Sequence, residues 1–351
     1  MRLGKVFKNI GTKKQQAIHV DRLQEVSWGE GKLEKKTYTV IDEDLENAII
    51  EDVMFWWGVK SSYFKFPSPM PVSMSFEELQ AVKQNWTEYF VTEKTDGVRH
   101  LIYFGKVLGQ QVQALIHRNL KVSLVKFEVP QSIYKGTVLD GEWIGDKFLV
   151  FDIVSSFGLV SRYLPFTDRL KIIKKMIPFL SQTQYSPFTF QAKRFVPIQQ
   201  LPTYVERWCS LGHSSDGFIF VYNSQCLMDT TDPTLLKWKP PELQTIDFYL
   251  KVGEDVQFYV YNDKSAYLFT TQPLNTIPTK LDASKMNGIW ECKYIHPYWI
   301  PVKSRADKTF PNSLYVAKKT WQHILDNITI ATMWDYWFPN QSVPTLKFSS
   351  V

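Results

Sequence analysis

Cysteine is scarce in this chain of 351 residues: Cys209, Cys226 and Cys292 are all there are. They lack the paired spacing of a zinc site or a disulfide framework, which excludes metal or disulfide staples as the basis of the fold and fits a reducing compartment. Long apolar runs are missing as well. None reaches the ~20 residues that span a bilayer, and the N-terminus, where Gly4 and Asn9 break up Arg2, Lys5 and Lys8, has no apolar signal-peptide core. The expectation is a soluble, intracellular protein with no membrane partner. Charge of one sign is not dominant either. A net charge of +6 suggests a polyanionic partner without separating RNA, DNA and free nucleotide.

What the chain does have is core-forming material: 44% of its residues are hydrophobic and 15% aromatic, enough for two domains that fold without staples. Most of the rings must fill core positions, and the rest are available to stack on bases. The first sixty residues mix charge clusters with Phe55-Trp56-Trp57 and carry no chemical motif. Pro67, Pro69 and Pro71 then mark an extended connection into Ser75-Phe76-Glu77-Glu78, a capping box that predicts a helix to about Trp86. Short β-rich runs follow from Phe90 to Val154, including Leu101–Phe104, Gln113–Ile116 and Phe148–Phe151, and read as a mainly antiparallel sheet. Helices are predicted over Asp168–Phe179 and Thr203–Leu211, with a buried strand over Gly217–Tyr222. The first domain is therefore α+β and is placed at residues 1–243. After Pro240-Pro241, strands around Phe248–Val252, Val256–Tyr261 and Ala266–Thr271 have the lengths of a small β-barrel, placed at 244–317. Ser313 to about Thr332 reads as one helix with an apolar stripe of Trp321, Ile324, Leu325 and Ile328, and residues 318–351 are expected to pack back on the body.

The most informative stretch is Glu93-Lys94-Thr95-Asp96-Gly97-Val98-Arg99. It sets an amine nucleophile beside a carboxylate and a guanidinium, with Gly97 allowing a tight turn where a nucleotide approaches. Alone, an Asp-Gly pair is more simply an exposed hairpin turn. Downstream come Leu139-Asp140-Gly141-Glu142, Phe148 to Asp152, Ser215-Asp216-Gly217, Leu236-Lys237-Trp238-Lys239-Pro240 and Arg305-Ala306-Asp307-Lys308. On a strand, Lys237 and Lys239 alternate with Trp238, so both ammonium groups share one face and the indole the other, as a phosphate-binding strand requires.

Together and in this order, from about Phe66 to Asn312, these segments resemble the collinear motifs of the covalent nucleotidyltransferase superfamily of ATP-dependent ligases and mRNA capping enzymes. Lys94-Thr95-Asp96-Gly97-Val98-Arg99 has the threonine typical of capping enzymes, where DNA ligases more often have tyrosine. Lys237-Trp238-Lys239-Pro240-Pro241 and Arg305-Ala306-Asp307-Lys308-Thr309-Phe310-Pro311-Asn312 are similar to the capping-enzyme forms of their motifs, with Ala306 where the family often has a polar residue. The resemblance implies a nucleotidyltransferase domain with antiparallel sheets, followed by an OB-fold lid.

It also implies a mechanism. Lys94 Nζ attacks the α-phosphate of GTP, releases pyrophosphate and carries GMP until the 5′-diphosphate end of an RNA takes it to form a cap. Because an ordinary lysine is almost wholly protonated at neutral pH, burial and nearby positive charge must favour its free amine. By the same resemblance Lys237, Lys239 and Asp216 belong with Lys94 to the catalytic group. Asp140, Glu142 and Asp216 would hold Mg2+ or Mn2+, with Glu142 alternatively on the ribose. Thr95, Arg99 and Arg118 would contact the nucleotide, Phe151 (or its rival Phe148) and Ile219 would sandwich the base, and Lys193 would read the guanine O6, the alternative being a solvated surface lysine. Arg305, Asp307 and Lys308 would belong to the lid, with its hinge at Pro240-Pro241 and the turns after it. The expected partners are GTP, 5′-diphosphate RNA, the transcription machinery, and a separate RNA triphosphatase and cap methyltransferase. Cys209-Ser210-Leu211-Gly212 lacks the arginine of a cysteine-phosphatase loop, and no glycine-rich methyl-donor motif follows a strand. Nuclear residence is a family expectation, Lys13-Lys14 being too short for an import signal. The competing readings are an ATP-dependent polynucleotide ligase and a catalytically silent nucleic-acid-binding module.

Overall fold

The computed structural model describes residues 41–59, 65–207, 211–226, 231–263, 265–278, 281–282, 286–346 and 348. Cys209 and the first forty residues, Lys13-Lys14 among them, lie outside that set. The described chain opens with helix α1 (Glu43–Trp57), capped by the Asp42 side chain and ended by Gly58 in the left-handed region at φ 68°. Strand β1 (Met70–Ser73) leads into α2 (Phe76–Gln84), whose Ser75 and Glu78 form the expected reciprocal capping box. The β-rich stretch becomes β2 (Tyr89–Thr95), β3 (Val98–Val107), β4 (Gln110–His117), β5 (Val122–Leu124), β6 (Phe127–Glu128), β7 (Thr137–Ile144), β8 (Lys147–Ser156) and β9 (Leu159–Val160). Helix α3 (Phe166–Met176), β10 (Ser181–Gln182), β11 (Thr189–Ala192), β12 (Val196–Pro197) and α4 (Leu201–Val205) follow, α4 being shorter than the periodicity suggests. Strands β13 (Ser215–Tyr222) and β14 (Thr231–Trp238) complete the first domain.

Two sheets organise that domain. The first runs β1-β14-β13-β2-β12 and the second β11-β8-β7-β3-β4-β5. Most pairings are antiparallel, with parallel exceptions at β1–β14 and β11–β8. Alternation along β3 explains the layers: Leu101 and Tyr103 pack with α1 residues Leu45, Ile49, Val53 and Trp57, while Ile102 and Phe104 pack with α3 residues Phe166, Leu170 and Ile173. The second sheet is thus covered on both faces by helices.

Beyond a 3-10 turn at Pro241–Leu243, strands β15 (Thr245–Val252), β16 (Asp255–Asn262), β17 (Ser265–Pro273), β18 (Gly288–Ile295) and β19 (Tyr298–Ser304) form an antiparallel sheet ordered β17-β16-β15-β18-β19. Its edges approach each other. The buried Gln272 side chain on β17 donates to the Trp299 carbonyl of β19 at 2.8 Å and accepts from its N–H at 3.0 Å, curling the sheet toward closure. The single terminal helix of the sequence reading is two. Helix α5 (Leu314–Asp326) ends at Asn327 in the left-handed region, and the Thr329 side chain caps α6 (Ile330–Trp337). The break divides the predicted stripe: Trp321 and Ile324 pack on the C-terminal sheet, Ile328 joins the first domain's core, and Leu325 is 56% exposed.

Candidate active site

The Asp96-Gly97 pair is not a hairpin turn. Strand β2 pairs with β13 and β12, and β3 with β4 and β7, so these two residues carry the chain from one sheet to the other. Gly97 does not adopt a positive φ. A Cβ there would lie 2.7 Å from both Glu142 Cγ and the Trp143 carbonyl oxygen, so the position demands glycine for close approach between sheets. This crossing gathers residues scattered over the sequence. The first sheet contributes Lys94 from β2, Asp216 and Ile219 from β13, and Lys237 from β14; the second contributes Arg99 from β3, Asp140 and Glu142 from β7, and Phe151 from β8.

On the first sheet, Lys94 Nζ lies 2.6 Å from Asp216 Oδ1, and Lys239 Nζ lies 3.4 Å from Asp216 Oδ2. Trp238 points the other way, buried against Phe218 with ring centroids 5.5 Å apart, so the alternation expected of this strand is present. Burial pushes the Lys237 ammonium below the usual lysine range, helped by the charges of Lys94, Arg118 and Lys239 and opposed by Asp216. Positive charge is therefore crowded onto one face, which suits phosphate. Exposed Arg118 reaches in from the turn after β4, with Nη2 3.9 Å from Met70 Sδ.

On the second sheet, Asp140 is fully buried and receives Arg99 through two hydrogen bonds, Nε to Oδ1 at 2.9 Å and Nη2 to Oδ2 at 2.7 Å. Ser68 donates to the same carboxylate, and Arg99 Nη1 donates to the Pro69 carbonyl at 2.8 Å. Both oxygens of Asp140, expected from the resemblance to ligate a divalent ion, are engaged by Arg99 and Ser68. Its work is to hold Arg99, which in turn lies over the Phe151 ring, 5.1 Å from its centroid. Glu142 stands across from Arg99 in the β3–β7 register. Burial pushes its carboxyl up, while Lys193, Arg99 and Lys94 pull it down.

Phe148 is removed as a base-stacking candidate, since it is fully buried and stacked on Phe188 at 5.0 Å. Phe151 and Ile219 are each only partly buried. Lys193 is no surface lysine: it is 6% exposed, donates to Thr95 Oγ1 at 2.5 Å and lies 3.5 Å from Glu93 Oε1. Its backbone N–H bonds the Val150 carbonyl at 2.8 Å, which seats it beside Phe151. Arg305, Asp307 and Lys308 follow β19, and Arg305 holds Asp307 through two 2.9 Å hydrogen bonds. Arg305 and Lys308 both pair with Asp247, so these ion pairs stay within the C-terminal domain. Sequence reasoning missed Ser68, Tyr204 and His213. The last two bond Glu93 from distant positions, and no local pattern announces them. Among the described residues no cluster of three or more His, Cys, Asp or Glu side chains is arranged for a metal.

The chain is similar to several known proteins. The chain is 30% identical over 247 residues to the mRNA-capping enzyme subunit alpha of Neurospora crassa, covering 60% of this chain and 59% of that one. It is 27% identical over 306 residues to the mRNA-capping enzyme of Mus musculus, covering 77% of this chain and 49% of that one. The chain thus spans only about half to three-fifths of the length of these curated relatives. Among solved structures, mycobacterial DNA ligase D complexed with ATP and MES matches with a TM-score of 0.39 at 14% identity, covering 70% of this chain and 97% of that one. Residues 32–241 match the family of the mRNA capping enzyme catalytic domain and residues 243–334 that of the mRNA capping enzyme C-terminal domain, and the chain therefore belongs to the mRNA capping enzyme family.

Proposed function

We propose that this chain is the guanylyltransferase of mRNA capping, taking GMP from GTP onto Lys94 and passing it to the 5′-diphosphate end of an RNA. The observation that carries this is the Lys94–Asp216 pair, set on a face crowded with Lys237, Lys239 and Arg118 at the crossing of the two sheets. In the first step the Lys94 nitrogen forms a bond to the α-phosphorus, the bond to pyrophosphate breaks, and the proton lost from the amine passes to solvent. Nucleotide binding must draw Asp216 away from Lys94 before that nitrogen can attack. Lys237 and Lys239 offset the charge that grows on the α-phosphate oxygens. Arg99 cannot swing freely, since Asp140, Ser68 and the Pro69 carbonyl hold it, and it presents a fixed edge to the ribose side. Phe151 and Ile219 flank the base, and Lys193, held by Thr95, offers a donor to the O6 of guanine, where adenine carries a donor of its own.

Asp216 and Glu142 suit a magnesium or manganese ion, which takes one or two protein carboxylates and fills its remaining positions with phosphate oxygens and water; such an ion would neutralise phosphate charge. Arg305, Asp307 and Lys308 act in the same proposal as a lid that closes on GTP and reopens for RNA. The Neurospora relative is named as a subunit, and by extension separate proteins would supply the triphosphatase and methyltransferase steps, with the nucleus as the place of action. Incubation with a divalent ion and α-labelled GTP or α-labelled ATP, followed by denaturation, tests the reading. Label on the polypeptide from GTP and its absence in Lys94→Ala is the expected result. Label from ATP instead would make the chain a ligase, and none from either a binding module.

A further inference from the structure

Glu93 precedes the nucleophile in sequence and sits on the opposite face of β2, 2% exposed. For a buried carboxylate it is unusually well partnered. It accepts from Thr92 Oγ1 at 2.9 Å, Thr95 Oγ1 at 3.3 Å, His213 Nε2 at 3.2 Å and the Tyr204 hydroxyl, and it pairs with Lys193 at 3.5 Å. Burial alone would push the pKa of its carboxyl up, but the Lys193 charge and the bonds from His213, Tyr204 and Thr92 outweigh burial and hold it well below the usual carboxylate range.

The geometry points to Glu93 as a positioning residue for base recognition, one that aims Lys193 without touching the nucleotide; this rests on the guanylyltransferase reading above. Lys193 leaves β11 beside Phe151, and its buried ammonium must be neutralised by a carboxylate. Two compete for it: Glu93, at 3.5 Å, and Glu142, whose carboxyl feels the Lys193 charge from the ribose side. While Glu93 is charged, it and Thr95 Oγ1 together keep Nζ against β2, where the base edge would pass. Without that charge Nζ moves toward Glu142, and the donor that separates an O6 acceptor from an N6 donor is lost. The remaining Glu93 partners come from three separate places, β2, α4 and the segment before β13, so the carboxylate cannot follow the lysine.

The test compares kcat/KM for protein labelling with GTP and with ATP. Glu93→Gln keeps the side-chain volume and removes the charge. The GTP-over-ATP ratio should fall about tenfold or more, mainly through a higher KM for GTP, because a hydrogen bond from a charged group is at stake. In a Lys193→Ala background the same substitution should leave the ratio where Lys193→Ala alone puts it. Tyr204→Phe, which spares the charge, should hold the ratio near wild type. A ratio unchanged in Glu93→Gln while both nucleotides lose equally, with a lower melting temperature, would show a structural role only and overturn the proposal. Should Glu93→Gln fail to fold, Glu93→Asp, with the charge retained but drawn back, should give an intermediate fall, and an unchanged ratio there overturns the proposal as well. A wild type that labels with GTP but shows no such dependence removes only this inference; one that takes no label from GTP removes the guanylyltransferase reading with it.

Discussion

Asp140 and Asp216 are both strand aspartates near Lys94, and burial with their partners separates their work. Asp140, fully buried and gripped by Arg99 on both oxygens, is a structural anchor, whereas Asp216 pairs with Lys94 and Lys239, which are themselves placed to meet phosphate. Beside Arg99 sits His100, 3% exposed, with Nε2 3.0 Å from His117 Nδ1 and Nδ1 2.8 Å from the Val98 carbonyl. Burial, assisted by His117, pushes His100 down to about 4, while an unfolded chain would bind that proton near the ordinary 6.5. The unfolded state therefore holds more protons between these values. Stability is fully present above pH 6.5 and is lost as the pH falls toward 4, by up to about 3 kcal/mol from this residue. Urea unfolding at pH 7.5 and 4.5 should show that loss in the wild type and a smaller one in His100→Gln; equal losses would remove His100 as the cause.

At the scale of elements, the site depends on how closely strands β13 and β14 approach. A Cβ on Gly217 would sit 2.0 Å from the Trp238 carbonyl oxygen, a contact with backbone that no side-chain rotation relieves. Gly217→Ala should therefore pry β14 from β13, displacing Lys237 and Lys239, and cost about 2–3 kcal/mol as an overpacked core does. Chemical denaturation and GTP labelling of this variant should fall together. Normal labelling in a folded Gly217→Ala protein would mean that the strand spacing does not set the lysines. The Asp96-Gly97 segment makes a related point. Its local signal is that of a hairpin, and only the partners of β2 and β3 show that it links two sheets.

At the scale of the whole molecule, the C-terminal sheet is joined to the first domain twice. The chain enters through Pro240 to Gln244 and returns through Asn327 to Thr329, and Trp238 Nε1 ties the two crossings by donating to the Ile328 carbonyl at 2.8 Å. Helix α6 then buries Met333, Trp334 and Trp337 among Leu79, Val91, Phe218, Phe220 and Trp238 of the first domain. Any lid motion has to turn about both crossings, so Pro240-Pro241 cannot be its whole hinge. Trp334→Ala should cost about 3–5 kcal/mol, the toll of a large core cavity, although the first-domain residues it packs among are distant in sequence. Calorimetry should show the first domain's transition lowered; an unchanged melt would place α6 outside that core.

How much of this the sequence held depends on the range of the interactions. The capping box at Ser75, the alternation of Lys237, Trp238 and Lys239, and the order of the nucleotidyltransferase motifs are read from neighbours along the chain, because periodicity and side-chain chemistry are local properties. They determined the α+β class, the family and the set of residues worth inspecting. The tertiary structure alone decided that Asp140 serves Arg99, that Phe148 belongs to the core while Phe151 remains partly open, that the last helix breaks at Asn327, and that Glu93 gathers Tyr204, His213 and Lys193. The physical reason is that burial and pairing are set by whichever residues the fold brings together, from 41 positions apart for Arg99 and Asp140 to 120 for Glu93 and His213, and the sequence around each residue carries no trace of that partner.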